Sequence, residues 1–103
     1  MRKDVIVIGG GGHAKVVISA LIVAGFNVVG VLDDDEKKWG ESLLRIPILG
    51  PIELIKRGSF EYGIIGIGDN KTRKGIFEKY KEFCDWISVV HPQSYIYESV
   101  TLG

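Results

Sequence analysis

The sequence predicts an α/β fold, a small Rossmann-like domain of three layers with a parallel sheet. Three observations predict it. An apolar run at residues 5–8 leads straight into Gly9, Gly10, Gly11 and Gly12 and then into a stretch of helical periodicity. A second strand-like run, residues 27–32, ends in Asp33, Asp34 and Asp35. Strand-like and helix-like segments go on alternating to about residue 90. That order argues parallel strands, right-handed crossovers and helices on both faces.

Each element has its own signature. Residues 5–8 are continuously β-branched, as in a strand buried on both faces. From Gly12 to Ala24 apolar residues recur at Ala14, Val17, Ile18, Leu21 and Ile22, which is helical spacing, and Gly25 suits the residue after the helix end. Residues 27–32 form the second strand. Residues 33–45 are mostly polar and read as a loop. A short strand is expected at 47–49. Pro51 suits the first position of a short helix over 52–57 that Gly58 ends. Residues 62–67 form a strand, 70–83 a helix marked by Ile76, Phe77 and Tyr80, and 86–90 the last strand.

Residues 91–103 do not continue this pattern. His91-Pro92 breaks it, because proline interrupts sheet pairing. Val100-Thr101-Leu102-Gly103 resembles the opening of one rung of a hexapeptide-repeat left-handed β-helix. One rung cannot bury its own apolar face. The expectation is therefore an N-terminal fragment of a longer protein, with a domain over 1–90 and the junction and first residues of a left-handed β-helix over 91–103.

Bulk composition narrows the function. The 103 residues make one domain, and 13 Lys+Arg against 13 Asp+Glu leave no net charge. Without a basic face, no nucleic-acid partner is expected. No apolar run is long enough for a membrane span, so no membrane partner is expected. Cys84 is the single cysteine. It cannot pair internally, which makes a cytoplasmic location the default, and Phe83 and Trp86 near it suggest a buried structural thiol. His91 has no partner at metal-ligand spacing, so no metal site is indicated.

The chemistry lies in the glycine-rich turns. Gly9, Gly11 and Ala14 fit G-x-G-x-x-[GA], after a strand and at the start of a helix, with carboxylates about 20 residues on. Such a turn lets backbone approach a phosphate that the helix N-terminus attracts. His13, in the first helical turn, is a candidate for a neutral hydrogen-bonding role. Asp33 and Asp34 can accept hydrogen bonds from a ribose or a base. Gly66-Ile67-Gly68-Asp69-Asn70 makes a second glycine-rich turn on the same edge, where Gly68 permits close approach and Asp69 or Asn70 can cap a helix. Lys71 and Lys74 read as solvated charges, while Arg73 could reach a phosphate. An NAD(P)-binding domain of an oxidoreductase shares the glycine spacing and the acidic strand end. A nucleotide-sensing module without chemistry is a third reading.

Four motifs together carry a resemblance: Gly-Gly-Gly-Gly-His-Ala at 9–14, Leu-Asp-Asp at 32–34, Gly-Ile-Gly-Asp-Asn-Lys-Thr-Arg at 66–73 and His-Pro-Gln-Ser at 91–94. Their order and spacing resemble the N-terminal domain of the NeuD/PglD-type bacterial sugar O-/N-acyltransferases, over essentially the whole chain. The resemblance implies a domain binding a nucleotide-linked amino sugar, commonly UDP-linked, in surface-glycan biosynthesis. It also implies a C-terminal left-handed β-helix that forms a homotrimer, binds acetyl-CoA as co-substrate and carries a general-base histidine. By position, Gly11, Gly12 and His13 would hold the diphosphate and sugar side, Asp33 and Asp34 would contact the uridine, and Gly68 would line the crevice. Gly9, Asn70 and Arg73 complete the candidate substrate-binding residues. Gly11 stands where relatives often have serine, which removes one side-chain hydrogen bond to phosphate. No catalytic residue has a counterpart here, so the fragment is expected to be an inactive, monomeric binding domain.

Overall fold

The computed structural model describes residues 3–58, 60–91 and 94–96. Its frame is a six-stranded sheet in the order β3-β4-β2-β1-β5-β6. The strands are β1 (Asp4–Ile8), β2 (Asn27–Leu32), β3 (Ser42–Leu43), β4 (Ile46–Gly50), β5 (Tyr62–Ile65) and β6 (Asp85–Trp86). All neighbours run parallel except β3, which pairs antiparallel with β4. The chain moves from β1 to β2 on one side, then returns to place β5 on the other side of β1. Crossovers leaving in opposite directions open a crevice at the carboxyl edge of such a sheet.

The two faces separate along β1. Val5 and Val7 pack against Ala14, Val17, Ile18 and Leu21 of helix α1 (Gly12–Val23). Ile6 and Ile8 face Ile52, Ile55, Tyr80 and Trp86, with Ile76 and Phe77 of helix α2 (Asn70–Tyr80) behind them. Ile6, Ile8 and Ile18 are fully buried, and each such side chain contributes roughly 1.5–3 kcal/mol. On β2 the alternation slips. Val5 pairs with Val28 and Ile6 with Gly30, so Val29 is an extra residue. This bulge puts both Val28 and Val31 on the α1 face, three positions apart.

The end of α1 forms as its sequence predicts. Gly25 has φ +91° and donates its N–H to Ile22 O, while Phe26 N–H donates to Leu21 O. These are the two bonds of a Schellman motif, and Phe26 and Leu21 share one apolar cluster.

Four expectations are corrected. The loop at 33–45 contains a 3₁₀ turn at Glu36–Lys38 and the strand β3. The short helix at 52–57 is a 3₁₀ segment, Ile52–Lys56, with Pro51 as its N-cap rather than its first residue. The helix expected over 70–83 ends at Tyr80, with Lys81 as its cap. The last strand, read as 86–90, is divided: β6 pairs with β5, and the sheet's last ladder bond runs from Ile87 N–H to Gly63 O. The following residues form β7 (Ser88–His91), which pairs antiparallel with β8 (Ser94–Ile96) in a separate two-stranded sheet. Within this hairpin His91, read as a junction residue, closes β7 opposite Ser94. The β-helix opening expected at Val100 to Gly103 lies outside the described residues.

Candidate functional site at the carboxyl edge of the sheet

Backbone bonds carry the parallel ladder past the strand ends and bring the glycine turns level. Gly66 N–H donates to Ile8 O at 2.7 Å, Gly9 N–H to Leu32 O at 2.7 Å and Asp33 N–H to Gly50 O at 2.9 Å. Gly9 sits at φ +100°, and a Cβ there would stand 2.5 Å from Ile67 Cγ1. A side chain is excluded on both counts. Gly11 and Gly12 differ, because a Cβ at either would meet nothing within 4 Å. The fold makes no steric demand for those two glycines, and the space above them is open.

The two helix N-termini on this edge are finished differently. At α2 the Asp69 carboxylate accepts from Thr72 N–H at 2.8 Å and from Thr72 Oγ1 at 2.6 Å. Those bonds hold the Asp69 carboxyl below its ordinary value, the side-chain bond being the larger cause. At α1 the N-cap is Gly11, and among the described residues no side chain caps the helix. That end keeps its positive field and N–H groups for an anion. His13 is exposed in the first turn of α1. It stands opposite Gly68, where a Cβ would lie 3.8 Å from the His13 ring.

The two aspartates after β2 have separate tasks. Asp33 Oδ2 accepts from the buried Gly10 N–H at 2.7 Å and lies 3.6 Å from Lys38 Nζ. Asp33 Oδ1 accepts from Asp35 N–H at 2.8 Å. The Asp33 carbonyl accepts from Trp39 Nε1 at 2.7 Å. Asp33 thus latches the acidic turn to the glycine loop. Asp34 Oδ1 accepts from Ile52 N–H at 2.9 Å and caps the 3₁₀ segment that proline cannot cap. Among the described residues Asp34 Oδ2 has no hydrogen-bond donor.

A cleft of about 460 Å³ opens between these turns and α2. Gly9, Asp33 and Asp34 line it, as do Ile52 and Ile67. Its far wall is the α2 stripe of Thr72, Gly75, Ile76, Lys79 and Tyr80. Gly11, Gly12, His13 and Gly68 cluster at the adjoining N-terminus of α1. Asn70 and Arg73 face each other in the first turn of α2, with Arg73 Nη1 3.4 Å from Asn70 Oδ1, and neither lines the cleft. Sequence alone does not mark the α2 wall as a site. Its spacing, 72, 75, 76, 79 and 80, is that of one helix face, and Ile76 and Tyr80 read equally well as core.

No cluster of metal-ligating side chains occurs among the described residues. No described helix is long and apolar enough to cross a membrane. Cys84 is half-buried, and burial, helped by the neighbouring Asp85 charge, pushes its thiol up to about 12. Such a thiol is inert rather than nucleophilic.

A doubly wound, mostly parallel sheet with a glycine turn before α1 and a cleft at the strand ends defines a small Rossmann-like domain. Residues 4–80 match the family described as the PglD N-terminal domain, and the chain belongs to that family. A solved mutant of perosamine N-acetyltransferase from Caulobacter crescentus, in complex with CoA and GDP-perosamine, is 30% identical with a TM-score of 0.76. The match covers 86% of this chain and 43% of that one. The acetyltransferase domain of PglB from Neisseria gonorrhoeae, in complex with acetyl coenzyme A, is 25% identical with a TM-score of 0.61, covering 81% and 40%. The uncharacterized protein L142 of Acanthamoeba polyphaga mimivirus is 32% identical over 93 residues, 90% of this chain and 18% of that protein. The chain thus spans under half the length of the two enzymes and about a fifth of the viral protein.

Proposed function

We propose that this chain is the nucleotide-sugar-binding domain of an acetyl-CoA-dependent sugar acetyltransferase of surface-glycan biosynthesis. The observation that carries the reading is the pairing of an uncapped α1 N-terminus with a carboxylate-lined cleft on the same sheet edge. The first suits a diphosphate and the second a nucleoside. The diphosphate lies over Gly9, Gly11, Gly12 and His13, and Asp34 Oδ2 accepts from the nucleoside. Gly68, Asn70 and Arg73 border the sugar side. Asp33, whose oxygens serve the chain itself, acts by holding the loop. The acceptor is an amino sugar, as in the GDP-perosamine named for the Caulobacter relative. The nucleoside linked to it is uridine in the family resemblance and guanosine in that relative.

In this reading acetyl-CoA and the general base belong to a second domain, joined through residues 91–103, that also makes the trimer. The 103-residue chain binds as a cytoplasmic monomer and does not turn over. Its family membership and the acetyltransferases among its structural relatives support this over an oxidoreductase.

Calorimetric titration with UDP, GDP, a UDP-4-amino sugar and NADH tests the reading. A nucleoside diphosphate should bind, NADH should not, and Asp34→Ala should weaken the diphosphate about tenfold, roughly the loss of one charge-assisted hydrogen bond. Binding of NADH alone would overturn it.

A further inference from the structure

Gly75 stands in the interior of α2, where glycine weakens a helix relative to alanine. Nothing among the described residues calls for it. A Cβ at Gly75 would meet no atom within 4 Å, and its φ is not in the left-handed region. Yet Gly75 lines the cleft. It lies three residues after Thr72 and four before Lys79, so the three share one helix face. The missing side chain leaves a bare strip of helix backbone between a hydroxyl and an ammonium group. Across the cleft stand Ile52, Ile67 and Asp34.

We propose that Gly75 is a specificity-determining position: it makes room for the flat heterocyclic base of the nucleotide to lie against the α2 backbone. Apolar walls suit the faces of a ring, and Asp34 Oδ2 supplies an acceptor for a ring N–H. A sugar, with hydroxyls all round, would find few acceptors on those isoleucines. A diphosphate is better served at α1. The inference rests on the nucleotide-binding reading and adds to it the residue that sets the width of the base pocket.

The experiment compares the 103-residue chain with its Gly75→Ala and Gly75→Leu variants, by thermal unfolding without ligand and by titration with UDP, GDP and inorganic pyrophosphate. Gly75→Ala should raise the melting temperature by about 2–6 °C, because helix propensity improves and nothing clashes. Gly75→Leu should bind the preferred nucleotide at least about tenfold more weakly, and pyrophosphate as the parent does. Undiminished nucleotide binding by Gly75→Leu would overturn the inference and leave the nucleotide-binding reading standing. A lower melting point for Gly75→Ala would overturn it too, by showing that the helix itself needs the glycine. So would an equal loss of pyrophosphate and nucleotide. A parent chain that binds none of the three would overturn both readings.

Discussion

Asp33 shows how one side chain sets the geometry of a glycine-rich loop. Its Oδ2 takes the buried Gly10 N–H while its Oδ1 takes Asp35 N–H, so one carboxylate ties together turns 23 residues apart in sequence. Lys38 completes the group, its Nζ lying 3.6 Å from Asp33 Oδ2 and 3.4 Å from Gly10 O. That ion pair is partly exposed and adds little by itself. The buried amide matters more. Asp33→Ala leaves Gly10 N–H without an acceptor and should cost about 1–3 kcal/mol, read by denaturant unfolding. A loss below about 0.5 kcal/mol would show that water satisfies the amide and that the latch is not structural. The carboxylates were visible in the sequence as possible ligand contacts. Their division of labour was not, because it depends on Gly10 and Ile52, which come next to Asp33 and Asp34 only in the folded sheet.

Elements were legible where local chemistry marks their ends. Gly25 closes α1 in a Schellman motif, Asp69 caps α2, and β-branched runs mark β1 and β2. They were illegible where such marks are missing. The β3–β4 hairpin turns at Leu44 and Arg45, whose φ values of 50° and 70° belong to a tight turn that favours Asn-Gly. Leucine and arginine carry no such signal, so the segment reads as loop. Likewise nothing like glycine or proline separates Ile87 from Ser88, and two strands of different sheets read as one. Because non-glycine residues are strained in the left-handed region, the double change Leu44→Asn, Arg45→Gly should stabilise the domain by about 1 kcal/mol. Chemical denaturation measures this, and a decrease in stability would mean that contacts of Leu44 or Arg45 outweigh the strain.

For the whole molecule, the feature of widest reach is the α1 N-terminus, which no side chain among the described residues finishes. Whatever anion settles there acts as the absent cap, so occupancy and folding become one equilibrium. A ligand that binds only the folded chain stabilises it by about 2.7 kcal/mol at one hundred times its Kd. For a domain of this size that is a rise in melting temperature of roughly 10–15 °C. UDP or GDP at saturation should produce such a rise where sodium chloride of equal ionic strength does not, and identical melting curves would contradict it. On the proposed function, supply of ligand and survival of the protein are then linked: when sugar nucleotide runs short, a larger share of the chain is open at any moment and exposed to proteases, and its abundance falls with the supply.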